Sequence, residues 1–520
     1  MNKTLSLYGL LASLLFTTTL SAQINNFFRH IPPDAEQVYH INLAALGSKV
    51  SWNDISGMIP QPKSESDQEM MKYVKDPSLS GIDFHQGLIV ASSHLAKNAD
   101  SPSCVTVMAM LIDSGKLLSL VRSKEKGLHN YKLPGKGSAA GKDKIGLAWN
   151  EKMVVLTIIT PSTKHTQNTK GNAIPGISHY TLAAAKKSMA ALEGFTNSPY
   201  TTDAVFMNGF SDDADFHAWT KSGSLFYQIM EMSAKKNPLG STMNKIPKQQ
   251  TNMHSLTAFR FDVGKITVHT TMQIPPDSAK IYSLFNSRPL NSDLITHLPG
   301  KAILAMFNLH MNPTDLSFLL EHYRTKNMVD SMLAHQGLSF EDYTKAFKGD
   351  FLFAAMMPSQ MSDTGKVKPT IFFVATIADM TSFMKVISKM GLNKDSSGGM
   401  LEKMKAGFTL RDNILVVGPK GKTEAFFTTN NSENLRLVDD HVRNNAFSIV
   451  VDIRAISDML KASDPTPSQK SQQMLHFLSA VDRITYAAGN YQNGQTEYNF
   501  EMTMTNTSEN SLRSLFNLLH

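Results

Sequence analysis

The chain repeats itself, and that repetition constrains its fold more than any other feature. The triplet His30-Ile31-Pro32 leads into a strand pattern ending Tyr39-His40-Ile41-Asn42-Leu43. Much later, His297-Leu298-Pro299 leads into one containing Ala305-Met306-Phe307-Asn308-Leu309. Further landmarks follow in the same order. Gly81-Ile82-Asp83-Phe84 opens onto the apolar run from Gly87 to Ala91, and Gly337-Leu338-Ser339-Phe340 opens onto Gly349 to Ala355. The strand Val105 to Ile112, then Asp113 and a helical pattern, corresponds to Ile371 to Ile377, then Asp379 and a second helical pattern. Each aspartate is placed to cap its helix, because a side-chain oxygen there accepts from the unpaired amides of the first turn.

The correspondence continues through two hairpins, one around Asn150-Glu151 and one around Asp412. Asp203-Ala204-Val205-Phe206-Met207 then matches Asn445-Ala446-Phe447-Ser448-Ile449, each expected to be a strand followed by a helix. A last hairpin turns at Gly264 and at Gly494 and feeds helices carrying Ser283-Leu284-Phe285-Asn286 and Ser514-Leu515-Phe516-Asn517. Short hairpin turns join antiparallel neighbours only. The expected fold is therefore α+β: two tandem homologous lobes, residues 23–290 and 291–520, each a largely antiparallel sheet with helices packed on one face. Polar breaks at Pro60 to Asp67, Ser162 to Gly176, Asn393 to Gly399 and Ala462 to Gln473 read as surface loops.

With 42% hydrophobic and 18% charged residues, the 520-residue chain can bury a core in each lobe. Its one cysteine, Cys104, leaves no partner for an intrachain disulfide and too few thiolates for a structural zinc site. Residues 1–22 have the form of a secretory signal peptide: Lys3, an apolar stretch from Leu5 to Phe16, and Leu20-Ser21-Ala22 before Gln23. No cysteine follows that stretch, so a lipobox anchor is chemically impossible. No later run reaches the ~18–20 apolar residues that span a bilayer. The expectation is a soluble periplasmic or extracellular protein without a transmembrane segment once the signal is removed. The net charge of +7 is a mild bias towards anionic envelope components. The lysines and arginines form no stripe interleaved with aromatics, which argues against nucleic acid.

His30-Ile31-Pro32-Pro33-Asp34-Ala35, and Gly337 to Asp342 running on through Ala346-Phe347-Lys348-Gly349-Asp350-Phe351, resemble the pattern of a Bacteroidetes family of secreted proteins and lipoproteins sharing domain of unknown function 4836. The resemblance covers most of the mature chain and implies an exported or envelope location. It carries over no catalytic residue. The chain departs from many such relatives in lacking the lipobox cysteine.

Candidate chemistry thins out on inspection. Asp113-Ser114-Gly115 and Asp363-Thr364-Gly365 resemble a two-lobe aspartic dyad, yet the repeat aligns Asp113 with Asp379, so the two triplets are unrelated by it. Gly135-Lys136-Gly137-Ser138-Ala139-Ala140-Gly141-Lys142 resembles a phosphate loop, but five residues separate Gly135 from Gly141 and Asp143 follows the lysine. It reads as a solvated loop. Asn393 to Gly398 imitates a calcium loop whose twelfth position, Met404, cannot supply a carboxylate. No HExxH and no Gly-x-Ser-x-Gly occurs. Asp212, Asp213, Asp215 and His217 are the weak metal candidates; the plainer reading places them at the start of a helix through Trp219, where acids favour the dipole. The thirty methionines, Met70-Met71 and Met356-Met357 among them, read as core filling. The expectation is thus a non-catalytic binding or structural module with no cofactor and with an envelope protein, glycan or lipid as partner. The alternative is an envelope hydrolase with its site in a cleft between lobes.

Overall fold

The structure is a computed structural model that describes residues 27–51, 72, 76–94, 102–124, 128–160, 177–221, 253–283, 291–322, 325–357, 369–389, 406–438, 440–463 and 467–519. The signal-like segment, Met70-Met71, Leu284 to Asn286, Asp363-Thr364-Gly365 and the Asn393 to Met404 stretch lie outside the described residues, as do the breaks Pro60 to Asp67 and Ser162 to Gly176. The architecture is α+β with antiparallel sheet pairing. Two compact units form: one comprises Met1–Lys221, Leu256–Arg260 and Leu515–His520, the other Ser222–Ser255 and Phe261–Ser514.

Among the described residues the first unit holds β1 (Gln37–Ile41), β2 (Leu88–His94), β3 (Ser103–Met110), β4 (His129–Tyr131), β5 (Ser138–Lys142), β6 (Ile145–Trp149), β7 (Met153–Thr160) and β8 (Phe216–Lys221). Their ladder runs β8–β1–β2–β3–β7–β6–β5–β4, every pair antiparallel. Part of a further strand, β9 (His254–Asp262), belongs to this unit through Leu256–Arg260. The second unit holds β10 (Lys265–Gln273), β11 (Ala302–His310), β12 (Phe347–Met357), β13 (Thr370–Ile377), β14 (Ala406–Arg411), β15 (Ile414–Pro419), β16 (Phe447–Asp452), β17 (Val481–Gln492) and β18 (Gln495–Met504). Its ladder runs β14–β15–β13–β12–β11–β16–β17–β18–β10. The segment β8–β1–β2–β3–β7–β6 in one unit and β16–β11–β12–β13–β15–β14 in the other thus have the same strand order.

The helices begin where the sequence supplies caps. Asp113 Oδ1 accepts from the Lys116 amide at 3.0 Å, and Asp379 Oδ2 from the Ser382 amide at 2.7 Å. They start α2 (Ser114–Lys124) and α6 (Met380–Lys389), counting α1 (Leu43–Lys49), α3 (Ile177–Glu193), α4 (Ala204–Gly209) and α5 (Phe340–Ala346) in chain order. Ser339 and Asp342 form a capping box at the head of α5. The apolar α3 lies against β5, β6 and β7. Its approach depends on Gly146, where a Cβ would sit 2.1 Å from the Ala185 backbone nitrogen.

Both His-x-Pro landmarks plug a core. Ile31 is fully buried with Phe28, Val38, Met108, Phe206 and Phe210 in one unit; Leu298 is fully buried with Leu294, Met306, Leu352, Phe372 and Val450 in the other. Met356 fills core space as expected.

Four expectations are corrected. Asp203 to Met207 is not a strand: Asp203 Oδ1 caps α4, which its bonds to the Val205 and Phe206 amides initiate, and the strand that flanks β1 on the side away from β2 is β8. Asp212 to Trp219 starts no helix; Trp219 lies on β8, where alternate side chains enter the core. The Gly-rich stretch is half strand, since Ser138–Lys142 forms β5 with Ala139 and Ala140 buried. Among the described residues of Ala462 to Gln473, α7 (Ile453–Ser463) runs into the stretch and α8 (Gln469–Ser479) starts within it, capped by Ser468. In each case side-chain burial or a local cap outweighed polar composition.

Candidate functional site: a buried histidine relay

Strand β1 alternates Val38 and His40 inward, and β8 turns His217 and Trp219 inward. The register sets His40 directly opposite His217. Both imidazoles are buried and stacked, with ring centroids 5.5 Å apart and Nδ1 atoms 3.2 Å apart. Phe210 stacks on His217 at 5.2 Å and closes that side. Gly87, at φ +74°, closes another, since a Cβ there would meet His40 Nε2 at 2.9 Å and the Ile41 carbonyl at 2.4 Å.

The relay runs outward from His217. Its Nε2 donates to Asp212 Oδ1 at 2.6 Å, Asp212 Oδ1 also accepts from the Ala214 amide at 3.0 Å, and Arg260 on β9 donates to Asp212 Oδ2. Beside it, Lys49 at the end of α1 donates to the fully buried Asp215 at 2.5 Å. Burial, reinforced by the neighbouring His217, pushes the His40 pKa down to about 4. Burial alone would raise Asp212, but its hydrogen bonds to His217 and the Ala214 amide, together with Arg260, bring it down to about 2.

Of the four weak metal candidates, the structure thus joins Asp212 to His217, turns Asp215 to Lys49 and leaves Asp213 97% exposed near Arg260. No group of three or more His, Cys, Asp or Glu suited to a metal ion occurs among the described residues. Sequence reasoning missed His40, Lys49 and Arg260. The available signal was His40 itself, a titratable residue on the inward parity of an apolar strand; nothing local marked Lys49 or Arg260.

The second unit has its own histidine–carboxylate pair. His310 Nδ1 donates to Asp350 Oδ1 at 2.6 Å, and Thr376 Oγ1 donates to Asp350 Oδ2 at 3.0 Å. Burial opposes ionisation of Asp350, and the His310 bond overcomes it, so the carboxyl sits below its ordinary range. Among the described residues, no serine or cysteine side chain hydrogen-bonds His40, His217 or His310. His217 and His310 are thus each oriented by a carboxylate, and His40 by His217.

Asp113 of the aspartic triplet serves as a helix cap. The phosphate-loop imitation enters β5 from Ser138 onward, and its Lys136, Gly137 and Ser138, with Trp149 and Asn150, line an open hollow.

The model of a domain of unknown function, DUF4836, matches residues 28–448. The chain belongs to the DUF4836 family. Within the matched span lie the His40–His217–Asp212–Arg260 relay and the His310–Asp350 pair of this DUF4836 chain. No curated protein matches it. Solved structures titled crystal form IV and crystal form III of TP0453 are similar at 12% and 11% identity, covering 50% of this chain in each case and 85% and 87% of those chains, with TM-scores of 0.26 and 0.25. Such scores bear no weight for fold or function. No helix among the described residues is long and apolar enough to cross a membrane.

Proposed function

We propose that this DUF4836 chain is an exported module of the bacterial envelope that binds or braces and does not catalyse. The observation that supports the reading best is the closed wiring of the relay: His40 is spent on His217, His217 on Asp212, and Asp212 on Arg260. Groups so paired stiffen a core and hold no free proton acceptor towards a substrate. The shared strand order of the two units supports an origin by duplication of one α+β lobe. The signal-like Met1 to Gln23 supports export, with Ala22 as the last residue removed.

Two measurements test this. Intact mass of the protein recovered from its native compartment should show a mature chain starting at Gln23; a retained Met1 to Ala22 segment would overturn export. Purified protein should turn over none of a panel of ester, peptide and glycoside substrates. Turnover that disappears in His217→Gln would overturn the non-catalytic reading and restore the hydrolase.

A further inference from the structure

The histidine pair of the first unit has a counterpart in the second, and the counterpart is not histidine. The β1–β8 and β11–β16 ladders end in the same bond, from the Asn42 amide to the Asp215 carbonyl at 2.9 Å and from the His310 amide to the Ala446 carbonyl at 2.6 Å. Two residues in from that bond stand His40 and His217 in one unit, Asn308 and Ser448 in the other. The buried rows they open run on alike, His217–His40–Ile89–Met108–Val155 and Ser448–Asn308–Leu352–Val374–Val416. Asn308 Nδ2 and Ser448 Oγ have no hydrogen-bond partner among the described residues.

Between the two imidazoles there is room for one proton. The outer nitrogen of each ring meets an acceptor, the Gln86 carbonyl for His40 and the Asp212 carboxylate for His217. The inner Nδ1 atoms face each other at 3.2 Å. A single proton there makes a hydrogen bond, because one nitrogen donates and the other accepts. A second makes both nitrogens donors, and two N–H groups head to head are unpaired and repel. Phe210 stacked on His217 and the Gly87 backbone closed on His40 keep the rings from turning aside. The surrounding charges give no relief. Arg260 from β9 and Lys49 from α1 are cations held by Asp212 and Asp215, and Ile89 opposite His40 on β2 is apolar. Beside Gln86, Asp83 accepts from the His85 amide and the Gln86 side chain, and His85 itself is exposed.

We propose that the His40–His217 pair is an acid latch: a second proton between the rings parts β8 from β1, while β16 stays on β11. In the second unit neither Asn308 nor Ser448 takes up a proton. His310, two residues along β11, faces the Asp350 carboxylate, so a proton there meets an opposite charge. The fold holds the His40 imidazole down to about 4 against an ordinary 6.5, so the closed pair resists a proton that the parted strands accept. The latch does not depend on whether the chain binds or catalyses.

Amide hydrogen exchange on the full chain between pH 7 and pH 4.5 tests this, read as protection factors corrected for the intrinsic pH dependence of exchange. Protection in β1 and β8 should fall about tenfold per pH unit below 6.5, one proton per opening, and protection in β11 and β16 should not. Equal falls in both units, or no fall in β8, overturn the latch. His40→Asn with His217→Ser gives the first unit the pair of the second and should flatten its pH dependence. A pH dependence that persists in this variant, shown to be folded by its thermal melt at pH 7, also overturns the latch. Should the variant not fold, the unmodified chain decides alone, because both units are compared within one molecule.

Discussion

His40 and His217 face each other across the β1–β8 register with their Nδ1 atoms 3.2 Å apart, deep in the first unit. Two imidazoles so close cannot both be charged without mutual repulsion in a low-dielectric core. With His40 lowered to about 4 in the fold against 6.5 when unfolded, the unfolded chain binds more protons between those values. Stability is then fully present above pH 6.5 and lost as pH falls towards 4, by an amount on the order of 2–3 kcal/mol. Denaturant titrations from pH 7 to pH 4 check this, and His40→Phe should flatten that part of the curve.

A second acid loss follows at lower pH. Asp212 is held at about 2 against an ordinary 3.8, so its contribution is present above 3.8 and disappears as pH falls to 2. Asp212→Asn should remove this step and lower the melting temperature at neutral pH; an unchanged acid limb would show that the relay does not stabilise the fold.

Lys49→Met deletes the cation bonded to the buried Asp215. Weakening the compensation of a buried carboxylate costs about 2–4 kcal/mol. The double variant Lys49→Met with Asp215→Asn should recover part of that loss in a double-mutant cycle.

Gly146→Val should be among the most damaging single changes in the first unit. Any Cβ there meets backbone of α3 within 2.6 Å or less, at the Ala184 carbonyl and the Ala185 nitrogen, so the helix must lift from β6 and release the Ser188 bond to the Gly146 carbonyl. Overpacking of this kind costs roughly 3 kcal/mol or more, read as a fall in melting temperature and faster amide exchange in β5 to β7.

Asp342→Ala removes half of the capping box and the ion pair to Lys385 at 2.7 Å. The expected cost is about 1 kcal/mol, confined to α5 and α6. Asp342→Asn should retain part of the cap and lose the lysine. Equal losses in both variants would assign the effect to the ion pair.

Much of the fold was legible because local signals and burial agreed. Asp113 and Asp379 cap helices that follow strands, as their positions required. Ile31 and Leu298, each between a histidine and a proline, both enter a core. Where the reading failed, local composition favoured one state and packing another. Ser138 to Lys142 looked like a solvated glycine-rich loop because small residues carry no pattern, yet small residues are what β5 needs beneath α3. Asp212 to His217 looked like an acidic helix start, whereas the alternation of His217 and Trp219 belonged to a strand.

The sequence by itself determined the antiparallel α+β class, the order of elements and the two recurring sets of landmarks, because hairpin turns, caps and hydrophobic period act over a few residues. It also excluded disulfides and thiolate zinc by count. Only the tertiary structure decided which polar residues meet. His40 and His217 are 177 residues apart in the chain and are joined by the register of β1 on β8, where a slip of one residue would turn either imidazole to the opposite face.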